Sequence, residues 1–268
     1  MNTIIYNKVG RWAKGLVPLY LFSVFALLCA CSNISEDERL IYVKMEPAKR
    51  VVLLEDFTGQ RCVNCPRGTE VIEQLQRDYG DNVVAVGIHG GPLGFHGNAR
   101  VMGLATDVGD EYYNYWKLEY QPVGLVNRHG AVNYTDWTAR VKEALTQPAP
   151  LKLSATATLS EGVINITVDA MGTDNTTGKL QVWLLEDGIT ALQLMPDGSS
   201  NSEYVHNHVL RTPVNGTWGQ DFSIREGESK TVTMTQALSD EWNPAALSIV
   251  VFVYNDQGVQ QAVKAGVL

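Results

Sequence analysis

Two cysteines separated by two residues, in the stretch Asp56-Phe57-Thr58-Gly59-Gln60-Arg61-Cys62-Val63-Asn64-Cys65-Pro66, have the types and spacing for thiol chemistry. They follow an apolar run of strand length, residues 51–57, and precede Ile72, Leu75 and Tyr79 at helical spacing, so the pair falls where a strand hands over to a helix. A thiolate at a helix N-terminus faces unsatisfied backbone N–H groups and the positive end of the helix dipole, which lower its pKa. Cys62 is therefore the candidate nucleophile, and Arg61 adds a neighbouring positive charge. Cys65, one turn on, is placed to resolve a mixed disulfide made by Cys62, the oxidised product being a Cys62–Cys65 disulfide. That chemistry needs no cofactor.

The elements that must hold this pair alternate in type over residues 51–147. After the first strand and helix, the pattern predicts a strand over 83–89, a helix around 110–118, and a hairpin of 123–127 with 131–134. A closing helix over 137–145, capped by Thr135 or Asp136, completes the order βαβαββα. Beyond Pro148 and Pro150 the pattern changes to strict alternation, first in residues 151–159, with strand signals at 163–170, 180–185, 204–210, 222–224, 232–234, 249–254 and 259–263. Short strands at such intervals predict an all-β, immunoglobulin-like sandwich over residues 148–268.

The N-terminus predicts export. Residues 1–30 hold Lys8, Arg11 and Lys14, no acid, and an apolar run over 16–28 that is too short to span a bilayer, the pattern of a secretory signal. The run ends Leu28-Cys29-Ala30-Cys31-Ser32, which resembles a bacterial lipobox and implies cleavage before a lipidated Cys31. Acyl chains on Cys31 would hold the protein to a membrane without a spanning helix. Residues 31–50 then read as a tether, in which residues 40–43 could add an edge strand. Cleavage leaves 18 basic against 29 acidic residues, a net of −11, which disfavours nucleic acid and anionic lipid as partners.

Residues 51–147 resemble the thioredoxin superfamily in element order and in the position of the cysteine motif. The resemblance implies that Asp56, six residues before Cys62, is a buried acid that helps deprotonate the resolving cysteine. It also implies that Pro122 is a cis-proline lying against the sulfurs and presenting backbone to a substrate chain. The sequence departs from the superfamily at Arg61, Pro66 and Gln121. The lipobox, "FTGQRCVNCP", "QPVGLVNR" and "EYVHNHVLR" together resemble the twenty-eight-kilodalton outer-membrane lipoprotein family of the Bacteroidetes. That likeness implies an outer-membrane, surface-exposed protein acting as adhesin or receptor.

Three function classes follow. One is an envelope thiol–disulfide oxidoreductase acting on protein thiols or disulfides, with Cys62, Cys65, Asp56 and Pro122 as its site. The second is a surface binding module whose β domain takes a ligand and whose first domain is a scaffold. The third is a copper or zinc carrier in which His89, His96 and His129 join the sulfurs, although these histidines read more simply as structural. His206 and His208, two apart, are expected on one face of a strand. The aromatic group Tyr112, Tyr113, Tyr115, Trp116 and Tyr120 reads as core packing. A c-type haem is excluded because Pro66, not His, follows Cys65.

Overall fold

Strand β1 (Val52–Thr58) is buried at every position, as a continuous apolar run must be when both faces of its sheet are covered. It pairs in parallel with β2 (Val83–His89) and antiparallel with β3 (Val123–Val126), which in turn pairs with β4 (Ala131–Asn133). Helices α1 (Cys65–Tyr79) and α2 (Asp107–Tyr115) make the crossovers, and α3 (Trp137–Leu145) follows β4. The computed structural model describes residues 44–268. The signal segment, Cys31 and the tether through residue 43, with its expected edge strand, lie outside the described residues.

Local chemistry sets the helix limits. Helix α1 opens with Pro66 in its first turn, where the missing N–H costs nothing, and ends at Gly80, whose φ of 55° suits glycine. Helix α2 starts earlier than its apolar spacing suggests, because the Thr106 hydroxyl accepts from the Gly109 N–H and caps it there. It also stops short of the expected end, the chain turning at Lys117 with φ 51°. Helix α3 starts where expected, but neither expected cap forms. Asp136 makes no side-chain capping bond, and the Thr135 hydroxyl donates to Asn133, which caps the preceding 3-10 turn.

Ten strands follow: β5 (Leu151–Ser160), β6 (Val163–Gly172), β7 (Thr176–Glu186), β8 (Ile189–Leu194), β9 (Ser200–His206), β10 (Val209–Pro213), β11 (Gln220–Ile224), β12 (Ser229–Ala237), β13 (Leu247–Asn255) and β14 (Gly258–Gly266). Strand β8 gave no signal in the sequence. The single strand expected over 204–210 is two strands, broken at His208 with φ 57°. Asp187 holds the break by accepting from the His208 N–H at 2.6 Å, and Asn207 accepts from the Gly188 N–H at 2.9 Å. His206 and His208 therefore do not share one face of a strand.

The main sheet runs β14-β13-β7-β10-β2-β1-β3-β4, with β11 beside β7. Its two portions meet where Val209 pairs with Gly87, whose N–H donates to the His208 carbonyl at 2.8 Å. The change of pattern near residue 148 thus occurs inside one sheet. On one sheet face, Leu53, Phe57 and Val86 share a core with Trp183, Phe252 and Val259. On the other, α1 and α3 cover Val52 and Leu54, while the sheet β12-β6-β5 covers Val182 and Val251 in a sandwich-like layer. The architecture is a mixed α/β portion with sandwich-like β-sheets. Strands β8 and β9 form a separate two-stranded ribbon. Among the described residues no helix is long and apolar enough to cross a membrane.

Candidate functional site

Cys62 and Cys65 form a disulfide, with Cα atoms 5.4 Å apart. Cys65 is the first residue of α1, and Cys62 sits in the turn before it, its N–H donating to the Gly59 carbonyl at 3.0 Å. Gly59 is required by a close approach, since a Cβ there would lie 2.2 Å from the Leu93 carbonyl oxygen. Gln121 gathers three segments around the motif. Its amide donates to the carbonyls of Thr58 at 2.7 Å and Gly90 at 3.0 Å, and accepts from the Leu93 N–H at 3.1 Å. The Gln121–Pro122 peptide is cis, and Pro122 lies against α1 at Gly68, where an added Cβ would come within 3.4 Å of its ring.

Both cysteines are buried, at 1% and 2% exposure, while Val63 between them is 41% exposed. The β8–β9 ribbon binds the motif from above. Gln193 Nε2 donates to the Cys62 carbonyl at 2.9 Å, and the Leu194 N–H donates to the Gln60 carbonyl at 2.9 Å. Gln60 replies through its own side chain, donating to the carbonyls of Leu192 at 3.0 Å and Met102 at 3.1 Å and accepting from the Leu104 N–H at 2.8 Å. Beneath lies a cavity of about 30 Å³, walled in part by Asp56, Cys65, His89, Tyr204 and His206.

This cavity is uncharged near neutral pH. Burial raises the Asp56 carboxyl from 3.8 to about 8, so it holds its proton. Burial lowers His89 from 6.5 to about 3, assisted by His206 and Arg211. It lowers His206 from 6.5 to about 4 against the opposing carbonyls of Ala191 and Leu192. The two imidazoles meet edge to face at 5.2 Å. Asp56 Oδ1, His89 Nδ1 and His206 Nε2 are all buried without a hydrogen-bond partner. The arrangement can keep a proton on Asp56 beside Cys65 while two neutral imidazoles line the same space.

A pH dependence of stability follows. The depressed histidines contribute stability above 6.5 that is lost as pH falls through about 4 and about 3, whereas Asp56 contributes stability below 3.8 that is lost as pH rises through about 8. Between those windows two histidines outweigh one carboxyl, so of these three groups the net effect is stability rising with pH to roughly 6.5 and falling toward 8. Urea unfolding at several pH values checks this. Asp56→Asn should abolish the falling limb, and its persistence in that variant would assign it to another group.

Of the residues singled out in the sequence, Cys62, Cys65 and Asp56 come together, and Pro122 packs on α1 at Gly68. Arg61 instead points outward, its guanidinium 4.8 Å from the Phe95 ring centroid. Of the three histidines proposed for a metal, His89 lines the same cavity as Cys65, and the other two lie elsewhere. His96 pairs with Asp110 at 2.8 Å, and His129 lines a separate cavity with Arg50 and Arg140. Among the described residues no group of three or more His, Cys, Asp or Glu side chains is placed to hold a metal ion. Sequence reasoning missed Gln60, Gln193 and the His89–His206 contact. Two motifs without assigned roles now have them: "QPVGLVNR" supplies Gln121, the cis-proline and the β3–β4 turn, and "EYVHNHVLR" supplies His206 and the break between β9 and β10.

The outer membrane protein Omp28 family matches residues 109–267, more than half of the chain. The chain belongs to this family. It is an outer membrane protein, and the matched region begins beyond the cysteine pair. HBP35 of Porphyromonas gingivalis is structurally similar, with TM-score 0.66 and 16% identity over 82% of this chain and 76% of its own. Protein AGR_C_4864 from Agrobacterium tumefaciens is similar with TM-score 0.51 and 16% identity, over 82% of this chain and 95% of its own. A domain of the outer membrane lipoprotein Omp28 from Porphyromonas gingivalis matches 44% of this chain and 88% of its own at 27% identity and TM-score 0.34. No curated protein matches the sequence.

Proposed function

We propose that this Omp28-family protein is an envelope thiol–disulfide oxidoreductase anchored to the outer membrane through lipidated Cys31. The observation that carries the reading is a Cys62–Cys65 disulfide at the start of α1 with protonated Asp56 behind it. The order β1α1β2α2β3β4α3, the sheet order β2-β1-β3-β4 and the cis-proline before β3 support a thioredoxin-like assignment of residues 51–147. The sandwich-like sheets support an immunoglobulin-like assignment of the remainder.

In the reaction, the Cys62 thiolate attacks a substrate disulfide, and one substrate sulfur leaves as a thiolate that takes a proton. Cys65 passes its proton to Asp56 in the minor ionised form that a pKa of about 8 leaves near neutral pH, attacks Cys62 of the mixed disulfide and expels the second substrate sulfur as a thiolate that takes a proton from water. The products are the protein disulfide and a substrate dithiol, with two electrons transferred. A dithiol protein donor would reverse the exchange and reset the site. Pro122 would present backbone to the substrate chain.

Insulin reduction with a thiol donor tests the proposal. Turnover is expected with the native pair and absent in Cys62→Ser, with Cys65→Ser trapping mixed disulfides. A native pair that is reduced yet turns over nothing favours the second reading, a surface binding module. One observation already leans that way: the family match starts at residue 109 and omits the cysteines.

A further inference from the structure

We propose that the β8–β9 ribbon is a built-in occupant of the substrate channel, its residues 192–194 taking the hydrogen-bonding sites an extended polypeptide substrate would use, so that exchange at Cys62–Cys65 waits on ribbon displacement. This rests on the oxidoreductase reading. The ribbon reaches the carbonyls of Gly59, Gln60 and Cys62, those of Gly59 and Cys62 also accepting from the N–H groups of Cys62 and Cys65 within the motif. The Gln193 side-chain amide spans Gly59 at 3.4 Å and Cys62 at 2.9 Å, and the Leu194 N–H makes the one backbone bond, to Gln60 at 2.9 Å, of the kind an extended substrate chain would make. An attacking sulfur must approach along the S–S axis, which the 1% and 2% exposure of the two cysteines denies it.

The ribbon is also built to leave. It pairs with no third strand, and an isolated two-stranded hairpin is marginal on its own. Its apolar footing is the small cluster of Leu104, Ile189, Ala191 and Val209, apart from the cores that hold the main sheet. β9 is largely exposed, Val205 by 49%. Local opening of such an element costs far less than global unfolding. The partner implied is an extended protein segment whose N–H groups and amide side chains replace those of Gln193 and Leu194.

Reduction of the full mature chain by tris(2-carboxyethyl)phosphine gives the test. The phosphine attacks one sulfur, the S–S bond breaks, and water completes two thiols and a phosphine oxide. With the ribbon as cover, the rate should level off at high phosphine, at the opening rate read from hydrogen exchange of the Leu194 N–H at a pH where exchange is limited by opening. Gln193→Ala should raise that plateau about five- to tenfold, the size expected from one or two lost buried hydrogen bonds. A rate proportional to phosphine throughout, with equal slope in both chains, overturns the inference. If exchange at Leu53 in β1 also quickens in the variant, its fold is damaged, and the native comparison of plateau with Leu194 opening decides alone. A gated but insulin-inactive chain would sink the oxidoreductase reading and leave the ribbon as cover of a structural disulfide.

Discussion

Glu55→Ala is expected to cost about 3–5 kcal/mol of stability, because it strands a buried guanidinium. Glu55 lies in β1 on the face opposite Asp56 and accepts from Arg128 Nε at 3.1 Å and Nη2 at 2.9 Å, with both side chains at most 2% exposed. Burial works against the Arg128 charge, and Glu55, with smaller help from Tyr254 and Tyr112, offsets it, so the pKa of Arg128 is raised. Around the pair stand aromatic faces, Tyr254 at 4.3 Å and Phe252 at 4.8 Å from the guanidinium carbon, that cannot replace a carboxylate. Replacing both partners, as in Glu55→Leu with Arg128→Met, should cost markedly less than Glu55→Ala alone. Urea unfolding of the three chains checks this, and equal losses in single and double variants would mean that the charge pair is not what holds this core.

Residues 51–147 expressed alone should show no cooperative melting. Leu53, Phe57, Val84, Val86 and Ile88 share their core with Trp183, Leu185, Phe252 and Val259, and truncation turns much of that face to water. Each such side chain is worth roughly 1.5–3 kcal/mol when fully buried, so the loss rivals the whole stability of an ordinary domain, about 5–15 kcal/mol. Arg128 would lose Phe252 and Tyr254 at the same stroke. Thermal circular dichroism decides, and a sharp transition in the fragment would establish that the division at residue 148 is one of autonomous domains.

The cysteine motif was legible because its chemistry and its position are both local. Residues 51–57 form one buried strand, α1 begins at Cys65, and the alternation of residues 151–159 becomes β5. Glu55 within an apolar run needs a buried partner, but only tertiary structure could name Arg128. Strand β8 escaped notice because its sequence, Ile-Thr-Ala-Leu-Gln-Leu, buries a polar Gln193 and pairs with β9 alone. The meeting of His89 and His206 depends on β10 docking beside β2 through one residue pair, a long-range event with no local trace. The break at His208 had a local signal in Asn207-His208, two types enriched at positive φ, but Val205 before it and Val209-Leu210 after it read as one strand.

The side chain of Gln261, on β14, accepts from the Val51 N–H and donates to the Lys49 carbonyl, while Arg50 reaches the Val259 carbonyl. Residues 49–51 are therefore fastened by residues some two hundred positions further along the chain. Contacts so distant along the chain are slow to form, and none of them exists until β14 has left the ribosome. A nascent chain lacking β13 and β14 has an open edge on β7 and a half-built core, so it stays pliant during translation.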